Sequence, residues 1–263
     1  MSSTPTQRKK VLITGLSGLI GNAVHKRLAD RYELTALNRR LVPGVHCVQA
    51  DVADFAAIQP AFVGQEIVVH LAALVSFEPD WEAILEANIK GTYNVFEAAR
   101  RAGVKRIIYA SSGATVSGWA KEAPYGALMA GRYAEATAPW PMITHETPPR
   151  PTALYSVSKV FGETLAYQFK ATTDLSIICL RFGVINAEDR PTALSHFPIW
   201  CSQRDAAQMV EKCITAPDSL RYDIFFVTSR NQWGYRDISH AREVVGYEPE
   251  DSADSYQLGN DGG

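Results

Sequence analysis

Short apolar runs alternate along the chain with stretches in which apolar residues return every three or four positions. Val11-Leu12-Ile13 is the first run, followed by Glu33-Leu34-Thr35-Ala36-Leu37, Cys47-Val48-Gln49-Ala50 and Ile67-Val68-Val69-His70. Arg106-Ile107-Ile108-Tyr109-Ala110, Ile178-Cys179-Leu180-Arg181 and Asp223-Ile224-Phe225-Phe226-Val227 complete the set. Runs this short, bounded by turn residues, read as buried strands. Helical spacing predicts helices behind the first run and over 81–86, 89–102, 157–169 and 204–215. Strands that alternate with helices imply an α/β protein built on a parallel, doubly wound sheet.

The first run passes into Thr14-Gly15-Leu16-Ser17-Gly18-Leu19-Ile20-Gly21, with Ala23, Val24 and Leu28 continuing at helical spacing. Glycines between a strand and a helix let backbone N–H groups approach a pyrophosphate at the positive helix end. Their spacing is Gly-x-x-Gly-x-x-Gly, not the Gly-x-Gly-x-x-Gly of the dinucleotide fingerprint. Gly15, Ser17, Gly18, Leu19, Ile20 and Gly21 are thus the candidate dinucleotide cradle of a Rossmann-type fold. The second run ends in Asn38-Arg39-Arg40, where such a fold usually carries an acid for the ribose 2′-hydroxyl. Guanidinium forks suit a 2′-phosphate, which favours NADP over NAD. Arginines that are merely solvated would leave NAD open.

Tyr155 and Lys159 stand four residues apart in Tyr155-Ser156-Val157-Ser158-Lys159, on one face of a helix. A free tyrosine, with a pKa of about 10, is no base near neutral pH. A neighbouring ammonium favours the phenolate, so Tyr155 becomes a candidate proton carrier for a substrate hydroxyl. Tyr-x-x-x-Lys also occurs by chance in many helices, and the pair takes its weight from the other motifs.

Those motifs stand in a telling order: the glycine turn, Asp51-Val52, Leu71-Ala72-Ala73, Asn88-Ile89-Lys90-Gly91-Thr92, Ser111-Ser112-Gly113 and Tyr155/Lys159. From Val11 to about Pro249 the chain resembles the extended short-chain dehydrogenase/reductase family of nucleotide-sugar epimerases, dehydratases and related reductases. The resemblance implies that Asp51 and Val52 hold the adenine ring while Leu71, Ala72 and Ala73 lie along the cofactor. It implies Tyr155 as acid/base, Lys159 on the nicotinamide ribose, and Asn88 supporting the geometry from its helix. A catalytic hydroxyl is also expected: counted forward from the strand it is Ser112, with Ser111 as runner-up. Counted back from the closing glycine of the motif, the position falls on Gly113. The helices carrying Asn88 and Tyr155 often form a dimer face in the family, so the resemblance offers a homodimer while the oligomeric state stays open.

The chain has 263 residues, enough for one α/β core without disulfides or a metal. One domain is expected over 9–250, with tails at 1–8 and 251–263 and substrate-binding insertions at about 117–151 and 186–203. A net charge of −2 argues for no nucleic-acid or membrane partner. Scattered Cys47, Cys179, Cys201 and Cys213 read as reduced thiols of a cytoplasmic protein. The segment 117–151, with Trp119, Tyr125, Tyr133, Trp140 and six prolines, is expected to form a wall or lid of the pocket, or a rigid surface loop.

Little chain remains after Arg181 to clasp a nucleotide sugar, which points to a smaller substrate such as a sugar or sugar acid and to a small C-terminal substrate-binding portion. The compact outline resembles the uronate dehydrogenase branch, which implies Ser76 and Arg190 as substrate contacts beside Ser112 and Gly113. His70 and His145 invite acid/base roles, but His70 follows an apolar run and reads as a core histidine beside the cofactor. The expected activity is NAD(P)-dependent hydride transfer. An epimerase or dehydratase that keeps its cofactor, and a dinucleotide sensor without catalysis, stay open as alternatives.

Overall fold

Seven strands form one parallel sheet in the order β3-β2-β1-β4-β5-β6-β7 in a computed structural model that describes residues 8–75 and 80–257. They are β1 (Lys10–Thr14), β2 (Glu33–Asn38), β3 (His46–Gln49), β4 (Ile67–His70), β5 (Arg106–Ser112), β6 (Ser176–Phe182) and β7 (Tyr222–Val227). The α-helices among the described residues are α1 (Leu19–Leu28), α2 (Phe55–Ile58), α3 (Trp81–Ile84), α4 (Gly91–Arg101), α5 (Tyr125–Met129), α6 (Leu154–Thr172), α7 (Gln203–Thr215) and α8 (Ser239–Val245). The strand order reverses between β1 and β4, and the crevice beyond their carboxyl ends is where such sheets bind ligands. Both faces of the sheet are covered, which is why its strands are apolar throughout rather than alternating. Ile13, Val69, Ile108 and Leu180 pack toward α1 and α7, while Leu12, Val68, Ile107 and Cys179 pack toward α4 and α6.

Three elements differ from the sequence expectation. The helices expected at 81–86 and 89–102 join through a π-helical stretch, Leu85–Lys90, which contains Asn88. An extra residue in the turn is affordable because the Asn88 side chain ties it to the sheet: Oδ1 accepts from Leu74 N at 2.8 Å, and Nδ2 donates to Leu74 O and Ser158 Oγ. Helix α6 begins at Leu154, not 157, because Ser156 Oγ accepts from Ala153 N and donates to Ala153 O. The expected tail at 251–263 is packed at its start: Asp205 accepts from Glu250 N and Asp251 N, and Ala253 N donates to Asn231 Oδ1. Ala253 is fully buried.

The segment 117–151 is a packed wall with its own small core. Val116, Tyr125, Leu128 and Ile143 pack on Ile199, Phe226 and Tyr235. Trp119 Nε1 donates to Pro148 O, Trp140 Nε1 donates to Gly234 O, and Tyr133 stacks on Trp233 at 4.1 Å. Backbone bonds Ile143 N to Tyr235 O and Asp237 N to Ile143 O fasten it to the segment after β7. Among the described residues, no helix is long and apolar enough to cross a membrane.

Candidate active site

The glycine turn has the shape a dinucleotide needs. Gly15 sits at φ +72°, and a Cβ there would lie 2.8 Å from Ala72 N. A Cβ on Gly21 would strike Leu16 O, so only glycine lets α1 lie so close to the turn. No side chain caps the N-terminus of α1, which leaves its first N–H groups open toward the groove. Asn38 Nδ2 donates to Ser17 Oγ at 2.7 Å and fixes the turn against the end of β2. A groove of about 550 Å³ is lined by Gly15, Ser17, Gly18, Asn38, Arg39, Arg40, Asp51, Val52, Leu71, Ala72 and Ala73. Arg39 and Arg40 are exposed on its rim, and neither makes an ion pair among the described residues.

A second cavity, about 540 Å³, continues from the glycine turn over the ends of β5 and β6. It gathers Leu19, Ile20, Ser112, Tyr155 and Lys159 around the same Gly15 and Gly18. Strand β5 runs through Ser112, two residues further than expected, and this separates the two serines. Successive side chains on a strand leave on opposite faces. Ser111 therefore faces α6, where its hydroxyl donates to Glu163 Oε1 at 2.6 Å, and it is 3% exposed. Ser112 stands at the cavity, hydrogen-bonded to the Tyr155 hydroxyl.

Tyr155 and Lys159 lie together, but not with the expected electrostatics. Burial holds the Tyr155 phenol above its ordinary pKa, opposed by the hydrogen bond to Ser112. The Lys159 ammonium is 5.7 Å from the centre of the tyrosine ring and donates to Ala110 O at 2.7 Å. Lys159 is only 3% exposed, and burial brings its pKa down to about 7, with Glu163 working against the shift. Desolvation outweighs the Ser112 hydrogen bond, so Tyr155 rests as the neutral acid.

Glu163, two turns beyond Tyr155, is a residue that the sequence reading did not single out. It accepts two bonds from Arg181 at 2.8 Å, and both side chains are almost wholly buried. Tyr155, Lys159 and Glu163 follow at i, i+4 and i+8, and a charged residue continuing that face was the available signal.

His70 is a buried core histidine, as expected, with Nδ1 2.8 Å from Thr14 Oγ1 and Nε2 3.4 Å from Thr92 Oγ1. Burial, aided by Lys159, pushes its pKa down to about 3. The unfolded chain then binds a proton that the fold refuses between about pH 6.5 and 3, so this contribution to stability is lost as acid is added. His70→Asn keeps a polar partner for Thr14 and is expected to flatten the fall in melting temperature across that window. An unchanged slope would show that His70 is not what titrates. His145 lies elsewhere, stacked on His240 at 3.8 Å, with His240 Nε2 2.8 Å from Asp223.

The expected substrate contacts divide. Gly113 is buried and not among the residues that line the cavity; it sits behind Arg236, which does line it. Arg190 is exposed and absent from the lining: Asn186 Nδ2 donates to its carbonyl at 2.8 Å and Asp189 bonds Gln203 N, folding the loop outward. Ser76 lies outside the described residues.

Comparison with known proteins shows the family. The model of the NAD dependent epimerase/dehydratase family matches residues 11–198. The chain is similar to an L-arabinose 1-dehydrogenase (NAD(P)(+)) of Haloferax volcanii, at 31% identity over 93% of this chain and 97% of that protein. It is 32% identical to a uronate dehydrogenase of Agrobacterium fabrum, over 95% of this chain and 87% of the relative. Among solved structures, a mutant uronate dehydrogenase from Agrobacterium tumefaciens complexed with NAD superposes with a TM-score of 0.77, at 29% identity, covering 94% of this chain and 86% of that one. The chain belongs to the NAD dependent epimerase/dehydratase family.

Proposed function

We propose that the protein is an NAD(P)-dependent dehydrogenase that moves a hydride between nicotinamide and a carbon of a sugar or sugar acid. The observation that carries this reading is the meeting of Ser112, Tyr155 and Lys159 in a cavity continuous with the glycine turn. When bound, the nicotinamide supplies the hydride acceptor or donor. Tyr155 moves the proton at the reacting oxygen: it takes the hydroxyl proton in oxidation and returns one in reduction. Ser112 hydrogen-bonds that oxygen and steadies its developing charge. Lys159 is fixed by Ala110 O and keeps two further N–H donors for the cofactor ribose. Asn88 acts indirectly, holding Ser158 on α6 and Leu74 beside the groove.

Arg39 and Arg40 at the groove rim, in place of an acid, support a preference for NADP. Aldoses, uronates and other hydroxylated sugars, each tested with NAD+ and NADP+ by absorbance of the reduced nicotinamide, examine both parts. Net reduction with at least one sugar, faster with NADP+, is the expected outcome. Preference for NAD+ would remove the role of the arginines alone. Silence with every sugar, with cofactor still bound, would remove the dehydrogenase reading.

A further inference from the structure

Arg236 is a buried cation without a counter-ion. It is 7% exposed, lines the cavity that holds Ser112, Tyr155 and Lys159, and makes no ion pair among the described residues. Its guanidinium donates from Nη2 to Gly113 O at 3.1 Å and has a second hydrogen-bond partner in the Tyr235 hydroxyl, while Nε is buried with no partner. Its ring neighbours are Phe226 and Tyr235, each with its centre 5.9 Å from the guanidinium carbon. The buried carboxylate of Glu163 is committed elsewhere, with both oxygens engaged by Arg181 and one also by Ser111. No carboxylate stands among the described residues that line the cavity, where Lys159 is the other cation.

Leaving a guanidinium in such a place is costly unless an anion joins it. The fold nevertheless holds it firmly. Arg236 pairs with Ile143 of the wall in a β-bridge, flanked by the bonds from Ile143 N to Tyr235 O and from Asp237 N to Ile143 O. A Cβ at position 113 would overlap the guanidinium and push it aside, so glycine there lets the fork lie where it does. A donor fork that is preorganised, desolvated and only partly satisfied is built for a planar or tetrahedral oxyanion. The rim arginines that suit a cofactor phosphate line the other groove, so this cation belongs to the substrate end.

We propose that Arg236 binds an oxyanion substituent of the substrate, a carboxylate or a phosphate, and so selects acidic sugars over neutral ones. The proposal rests on the dehydrogenase reading and deepens it by naming the substrate class. It places the anion contact on Arg236 in the segment after β7, not on the exposed Arg190.

The test measures kcat and KM for matched hexuronates, hexose 6-phosphates and hexoses with the full-length wild type, Arg236→Met and Gly113→Ala. The wild type should favour one anionic set, and whichever set it is tells carboxylate from phosphate. In Arg236→Met the ratio of anionic to neutral kcat/KM should fall at least about thirty-fold, mainly through KM. Gly113→Ala, which displaces the guanidinium without removing it, should lower the same ratio and serves if Arg236→Met does not fold. A wild type that prefers neutral hexoses, or variants that lose both classes equally, would overturn the proposal while leaving the dehydrogenase reading intact. Absence of nicotinamide reduction with every sugar would overturn both.

Discussion

Tyr155→Phe is expected to lower turnover by about 10²–10⁴-fold while dinucleotide affinity and melting temperature stay close to wild type. The variant deletes one oxygen and leaves the ring that packs beside Lys159. On the proposed reading that oxygen carries the proton; it lies within hydrogen-bond reach of Ser112, and no second acid or base takes its place among the described lining residues. Lys159 is committed to Ala110 O, and His70 is sealed between Thr14 and Thr92. The pH profile sharpens the expectation. Burial keeps Tyr155 protonated at neutral pH, so the form needed for oxidation grows as pH rises and the form needed for reduction is already present. Oxidation by the wild type should quicken toward alkaline pH, and the residual activity of Tyr155→Phe should lose that limb. Steady-state kinetics in both directions, with cofactor titration, read these effects. Turnover in the variant close to that of the wild type would remove Tyr155 from the chemistry.

Glu163→Ala is expected to cost about 3–5 kcal/mol of stability, the range for removing one partner of a buried ion pair. Arg181 is 2% exposed and has no other anion partner among the described residues, so its charge would be stranded under α6. The Ser111 hydroxyl would lose its acceptor in the same step. For a chain of this size the loss corresponds to a drop in melting temperature on the order of 10 °C. The double variant Glu163→Leu with Arg181→Met removes the charges together and should recover most of the loss, because the penalty lies in the unpaired ion. Glu163 also supports the charged form of Lys159, so Glu163→Gln should move any activity limb set by Lys159 to lower pH. Chemical denaturation of the three variants decides the matter. A loss under about 1 kcal/mol in Glu163→Ala would mean that Arg181 finds water or another acceptor.

Much of this architecture could be read along the chain because it is written in short periods. The apolar runs marked all seven strands, since a sheet covered on both faces needs apolar side chains on both. The glycine turn and the four-residue step from Tyr155 to Lys159 are local geometry, and the cavity contains both. Where local spacing ended, the reading blurred. Ser111 and Ser112 could not be told apart until the length of β5 fixed which face each takes.

The sequence by itself determined the doubly wound sheet, the glycine cradle and the tyrosine–lysine pair, because each depends on residues a few positions apart. Only the tertiary structure decided which charges meet. Arg236 reaches Gly113 across 123 positions, and Ser111 finds Glu163 across 52. Arg190, equally plausible in the sequence, turns outward because Asn186 and Asp189 bend its loop. The upward shift of the Tyr155 pKa, against the ammonium effect that the spacing suggested, is likewise a product of burial. Solvent exclusion depends on everything packed around a group, and no pattern along the chain encodes that sum.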